Sequence, residues 1–256
     1  MTPPLRVAVA GKGGAGKSLI AGTMARLLAR RGHRVLVLDS DPMPGVAITL
    51  GLGPLGEPML AEAVEKDADG RWRLKKGIGA ARAVNRFAFT APDGVRLLQS
   101  GKATADGLAT IMGSISGFNY VAHRLAADGV LRAWSIVGDL PAGTRQAAYG
   151  WAPYAHRFLV IVEQTWPSAL TARRVIRLAR SRGDVDVWLV ANKVDDRNAL
   201  TVIEERVGEK VAACVPDDAA ARDADRDGVA LLDRSPDAAA VRAISALTER
   251  LIDSTR

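Results

Sequence analysis

Residues 7–18, VAVAGKGGAGKS, place four glycines and two lysines between an apolar run and the start of a helical pattern. Gly11, four further residues, and then Gly16, Lys17 and Ser18 fit the P-loop pattern. In that pattern backbone N–H groups wrap phosphate oxygens, the lysine reaches the β- and γ-phosphates, and the hydroxyl meets magnesium. Val7 to Ala10 reads as a buried strand, and Ile20, Met24, Leu27 and Leu28 recur at helical spacing. The N–H groups of Gly13, Gly14, Ala15 and Gly16 would then face an anion from a helix N-terminus. A glycine-rich turn made for its own sake is a poorer account, because each glycine loses extra conformational entropy on folding.

The extra lysine inside the loop, Lys12, gives KGGAGKS. This resembles the deviant Walker A motif of the MinD/ParA ATPases, a family that includes the nitrogenase iron protein and the CooC-like nickel-insertion ATPases. The resemblance implies binding of ATP with Mg2+ by Gly11 to Leu19, a homodimer in the ATP-bound state, and a Lys12 that reaches the partner's nucleotide. One departure is Leu19, which stands where the family often has a second hydroxyl touching the α-phosphate.

With 256 residues, 48% of them hydrophobic, the chain can bury a full core, and a single domain over 1–256 is expected. No run of eighteen apolar residues occurs, so no membrane span is expected. The first strand begins too soon to leave room for a signal peptide, which points to the cytoplasm. The single cysteine, Cys214, excludes an internal disulfide and is expected to be a buried, unreactive thiol. A net charge of +7 admits an acidic partner, nucleic acid among them, but no recognition motif accompanies it.

Arg34 to Leu38 reads as a second strand that ends in Asp39-Ser40-Asp41-Pro42, and Ala133 to Gly138 as a strand that ends in Asp139-Leu140-Pro141-Ala142-Gly143. In open α/β sheets ligands bind at the carboxyl ends of strands, which is where the P-loop also lies. These segments resemble the family's switch I and switch II. The resemblance implies that Asp41 positions the attacking water and that Ser18, Asp39 and Asp139 surround magnesium and its water shell. Lys12, Lys17 and Asp41 are then the expected catalytic residues.

Between these switches, residues 45–130 match the family only loosely. Leu60 to Glu65 suggests a short helix, Phe87 and Phe89 suggest a strand turning at Pro92-Asp93-Gly94 into Val95 to Leu98, and Val121 to Leu131 reads as a helix. LLQSGK at 97–102 resembles the third strand and following loop of the CooC-like proteins. Their metal-binding CxC pair is missing, so nickel insertion and cluster chemistry lack the thiolates they need. His33, His123 and His156 have no ligand spacing.

Arg157 to Val162 and Val187 to Ala191 are further buried strands, separated by a helix with Ala172, Val175, Ile176 and Ala179 on one face. The sustained alternation predicts an α/β fold with a doubly wound, mostly parallel sheet and helices on both faces. Asn192 to Asp195 spells NKVD, a guanine-reading pattern of many GTPases, whereas the family resemblance implies that Asn192, Pro216 and Asp217 meet adenine. ATP is the expected nucleotide, with GTP the alternative. Asp237 is expected to cap a last, core-facing helix carrying Ala240, Val241, Ile244, Leu247 and Leu251. The expectation is a magnesium-dependent ATPase, slow alone, whose dimer state is read by an unidentified protein client. The alternatives are a ParA-like module that coats DNA without sequence preference, or a metallochaperone-like helper whose partner carries the metal.

Overall fold

The computed structural model describes residues 3–41, 45–56, 59–101, 108–125, 127–144, 150 and 152–255. β1 (Arg6–Gly11), β2 (Val35–Asp39), β6 (Arg96–Gln99), β7 (Ser135–Asp139), β8 (Arg157–Val162), β9 (Asp186–Asn192) and β10 (Val211–Val215) run parallel, and β5 (Phe89–Thr90) closes one edge antiparallel to β6. The order across the sheet is β10-β9-β8-β1-β7-β2-β6-β5. β2 and β8 thus lie on opposite sides of β1, so the loop after β1 opens at a topological switch point, where α/β folds bind ligands.

Apolar residues fill both faces of these strands, as a covered parallel sheet requires. In β1, Val7 and Val9 enter one core while Ala8 and Ala10 enter the other; Val35 and Val37 are likewise opposed to Leu36 and Leu38 in β2. α1 (Lys17–Arg30) and the last helix pack on the first face. The second face is covered by α3 (Ala80–Phe87), α4 (Leu108–Arg124), α5 (Trp166–Arg180) and α6 (Arg197–Val207). The short α2 (Val46–Thr49) packs on α1, α7 (Ala219–Arg226) and α8 (Leu231–Arg234) follow β10, and α9 (Ala239–Asp253) buries all five of its predicted apolar residues.

The middle of the chain differs from expectation. Leu60 to Glu65 is a 3-10 turn, Met59–Ala63, running into β3 (Val64–Lys66), which pairs antiparallel with β4 (Trp72–Leu74). Phe87 ends α3 instead of joining a strand, because Ala80, Ala83, Val84 and Phe87 sit at helical spacing and all are buried. α4 begins well before Val121 and stops at Arg124, after which Asp128 Oδ1 accepts from Val130 N at 2.9 Å and Leu131 N at 3.1 Å and turns the chain. Asp237 caps nothing: the side chain at the start of α9 is that of Asp218, whose Oδ2 accepts from Ala240 N at 2.8 Å. Cys214 is half-buried, not fully enclosed, and its thiol donates to Val194 O. Burial raises its pKa, as does the Asp195 charge, which keeps it in the inert thiol form.

Candidate functional site

The turn after β1 is shaped by close approaches. Gly11 lies so near Ile161 of β8 that a Cβ would meet its carbonyl oxygen at 2.5 Å. Gly16, at φ 87°, would drive a Cβ to 2.2 Å from Asn192 Nδ2. That amide donates to Ala15 O at 2.7 Å, so the end of β9 braces the loop. Lys193 braces it again, donating from Nζ to Gly14 O and to Glu163 Oε1, each at 2.8 Å.

The loop forms one wall of a cleft of about 550 Å3. Of the predicted site residues, Gly13, Gly14, Gly16, Lys17, Ser18, Leu19, Asp41, Asn192, Pro216 and Asp217 line it. Gly11, Ala15, Asp39 and Asp139 are fully buried beside it. Lys12, half-buried, is absent from the lining. Lys17 is 7% exposed and donates from Nζ to Lys12 O at 3.3 Å. Pro42 of the expected switch I and Lys102 of LLQSGK lie outside the described residues.

Polar side chains converge at the carboxyl ends of β6, β2 and β7. Asp39 is in register with Gln99 on one side and with Asp139 on the other. Ser18 donates from Oγ to Asp139 Oδ2 at 2.6 Å, while Asp139 Oδ1 is buried with no hydrogen-bond partner among the described residues. Asp39 Oδ1 accepts from Asp41 N at 3.1 Å, and Oδ2 accepts from Gln99 Nε2 at 3.2 Å. Burial pushes the Asp139 carboxyl up to about 6, against the Ser18 hydrogen bond and the Lys17 charge, with Asp41 adding to the rise. Burial, and then the Asp139 charge, hold Asp39 well above the usual carboxylate range. Two adjacent carboxyls of this kind favour a cation between or beside them.

Just before Asp139, Gly138 has a physical reason: a Cβ there would stand 1.7 Å from Tyr154 Oη, so the buried ring of Tyr154 occupies the side-chain volume. Sequence reasoning missed Thr49 and Gln99. Thr49 lines the cleft and donates from Oγ1 to Ser18 O at 2.9 Å, and no local signal marks it. Gln99 had one signal, a polar residue ending an apolar strand at the ligand edge. At the far end of the cleft the Asp195 carboxylate accepts from Asp217 N at 3.0 Å and does not line the cavity. Among the described residues no group of three metal-ligating side chains occurs, and no helix is long and apolar enough to cross a membrane.

Comparison with known proteins gives the family and agrees with the fold. The CobQ/CobB/MinD/ParA nucleotide binding domain matches residues 7–231. An uncharacterized ATP-binding protein of Methanocaldococcus jannaschii is 28% identical over 84% of this chain and 86% of its own length. The carbon monoxide dehydrogenase accessory protein CooC of Rhodospirillum rubrum is 26% identical over 91% of each chain. In fold, the septum site-determining protein MinD of Pyrococcus horikoshii, complexed with Mg-ADP, superposes with a TM-score of 0.70 at 14% identity, over 97% of this chain and 96% of that one.

Proposed function

Because the chain belongs to the CobQ/CobB/MinD/ParA nucleotide-binding family, whose fold and mostly parallel sheet it shares, we propose that it is a magnesium-dependent ATPase whose ATP-bound form dimerises and is read by a protein client. The observation that carries this reading is the Ser18–Asp139 hydrogen bond at 2.6 Å at the foot of the P-loop cleft, next to the raised carboxyls of Asp139 and Asp39.

The donor set there fits magnesium. It offers one hydroxyl and buried carboxylate oxygens, all hard ligands, and Asp139 Oδ1 has no other partner among the described residues. Ser18 would hold the ion directly and Asp139 and Asp39 its water shell. When bound with ATP it would supply positive charge against the phosphates. Lys17 adds a fixed positive charge from the cleft wall, and the loop N–H groups orient the phosphates. Asp41, which also lines the cleft, is the residue to position and polarise water for in-line attack.

Lys12 belongs to the same loop yet lies off the cleft lining, which favours its reaching a second copy's nucleotide. The bond from Asp217 N engages one oxygen of the Asp195 carboxylate, which a guanine reader would need free, and Asp195 is absent from the cleft lining, which favours adenine. A relative named as an accessory protein supports a client-serving role. Phosphate release measured with ATP and with GTP, with and without Mg2+, together with the mass in solution, tests the reading. Mg-dependent ATP hydrolysis and an ATP-induced doubling of mass are expected. Hydrolysis without magnesium, or GTP strongly preferred, would overturn it, and a Lys12→Ala variant that still dimerises and hydrolyses normally would remove the trans role of Lys12.

A further inference from the structure

We propose that Gln99 is a positioning residue of the hydrolytic site, orienting Asp39 and, through Asp39, the backbone of Asp41. The proposal rests on the ATPase reading above and extends it to a third strand. Gln99 ends β6 in register with Asp39 and is 2% exposed. Leu97 and Leu98, which precede it, are fully buried, so a polar residue here breaks an apolar run. The residue is an amide, and its Oε1 is buried without a hydrogen-bond partner among the described residues. An unpaired buried acceptor opposes folding. The compensating contact is the donation from Nε2 to Asp39 Oδ2 at 3.2 Å.

That contact has a consequence for the cleft. Asp39 also accepts from Asp41 N through Oδ1 at 3.1 Å, so both of its oxygens are engaged and the carboxylate cannot rotate without breaking one of the two bonds. Asp41 lines the cleft and Asp39 does not. Gln99 therefore acts two steps from the phosphates, by fixing the group that fixes the start of the segment carrying Asp41. An amide suits this place because it donates without adding charge beside Asp39 and Asp139, whereas a carboxylate would add repulsion and no donor.

The test compares Gln99→Leu and Gln99→Glu with wild type in steady-state Mg-ATPase assays, in titrations with a fluorescent ATP analogue, and in thermal unfolding. Loss of the hydrogen bond that orients Asp39 predicts a fall in kcat of about tenfold in Gln99→Leu, and at least as much in Gln99→Glu. Nucleotide affinity should stay within about threefold, since the cradle is untouched, and the Tm of Gln99→Leu should stay close to that of wild type, because removing the unpaired Oε1 offsets the loss of the donor to Asp39 Oδ2. Wild-type kcat in both variants overturns the proposal, as does a proportional loss of kcat, affinity and Tm, which marks a purely structural residue. If Gln99→Leu fails to fold, the kcat-against-affinity split in Gln99→Glu decides. A wild-type protein that hydrolyses no ATP would overturn the ATPase reading itself, and this inference with it.

Discussion

The carboxyl edge of β1, β2 and β7 and the region around β3, β4 and α4 are both well buried, but they are buried for different ends. At the sheet edge Lys17, Asp39 and Asp139 are each under 10% exposed, two carboxyls are forced toward protonation, and one carboxylate oxygen has no partner among the described residues. Around α4 the buried groups include Leu60, Val64, Phe118 and Val121, with Gly113 and Gly117 letting the hairpin lie close, and among the described residues of α4 Ser114 Oγ alone is a buried side-chain polar atom without a partner. The first region holds groups that oppose folding and are useful to a charged ligand; the second holds groups that favour folding alone. Substitutions should therefore separate activity from stability in opposite senses in the two places.

The largest effect is expected at Lys17. Its described hydrogen bond, to Lys12 O at 3.3 Å, is long and replaceable, so its main contribution is charge directed at phosphate. Lys17→Ala should lower ATP hydrolysis by roughly a hundredfold to a thousandfold while unfolding within about 1 kcal/mol of wild type. Rates of phosphate release and a urea titration check both halves. A normal rate would end the contrast between the regions at its strongest point.

Asp139 comes next and carries a sign. Between the carboxyl's unfolded value near 3.9 and its folded value of about 6, the native protein holds a proton that the unfolded chain has lost. Stability therefore falls as pH rises through that window. Asp39, shifted in the same direction, adds to the fall. Without nucleotide, the Tm should drop between about pH 4 and pH 6. Asp139→Asn should flatten that slope, add on the order of 2–3 kcal/mol near neutrality, and lower hydrolysis by roughly a hundredfold. Thermal scans across pH on both proteins check this. An unchanged slope in Asp139→Asn would mean that the buried carboxyl does not govern it.

The same contrast explains what could be read from the chain. At the nucleotide edge chemistry dictates residue types at fixed spacing, so KGGAGKS, Asp39, Asp41 and Asp139 could be recognised one motif at a time. Gln99 offered only its polarity at the end of an apolar strand, since its meaning lies in register with Asp39 across two strands. The α4 region imposes only shape. Gly113 and Gly117 interrupt the apolar period and hid the first turns of the helix, while β3 and β4, three residues each, are too short to alternate visibly. Phe87, Ala83 and Ala80 form a helical stripe whose small members carry little hydrophobic signal. Asp237 stands where a cap is expected locally, and the residue that reaches the helix start comes from 22 positions earlier.

That misplaced cap gives a smaller prediction that sharpens the boundary between the regions. Asp218 accepts from Ala220 N and Ala240 N, both at 2.8 Å, so one carboxylate joins the starts of α7 and α9 at the cleft wall. Those bonds hold its pKa below the usual carboxylate range. Asp218→Ala should cost about 1–2 kcal/mol, and Asp237→Ala less than about 0.5 kcal/mol. Equal losses in chemical denaturation would contradict the assignment of the cap to Asp218.

The smallest effect is expected inside α4. At Gly117 a Cβ would meet Val64 Cγ1 at 3.0 Å and Leu60 O at 3.4 Å, a tight fit that a small hairpin shift can relieve. Replacing an interior helical glycine with alanine returns about 1 kcal/mol of helix propensity, which offsets that strain. Gly117→Ala should therefore change stability by less than about 1 kcal/mol and leave ATP hydrolysis within about twofold of wild type. Gly138→Ala is the matched control, because its Cβ falls 1.7 Å from Tyr154 Oη and next to Asp139. It should cost about 1–3 kcal/mol through overpacking and lower the rate as well, since relief there must move the strand end that carries the carboxylate. If Gly117→Ala instead lowered kcat about tenfold at unchanged Tm, the hairpin and α4 would belong to the hydrolytic machinery, and the division between a ligand-strained edge and a packing region would fail.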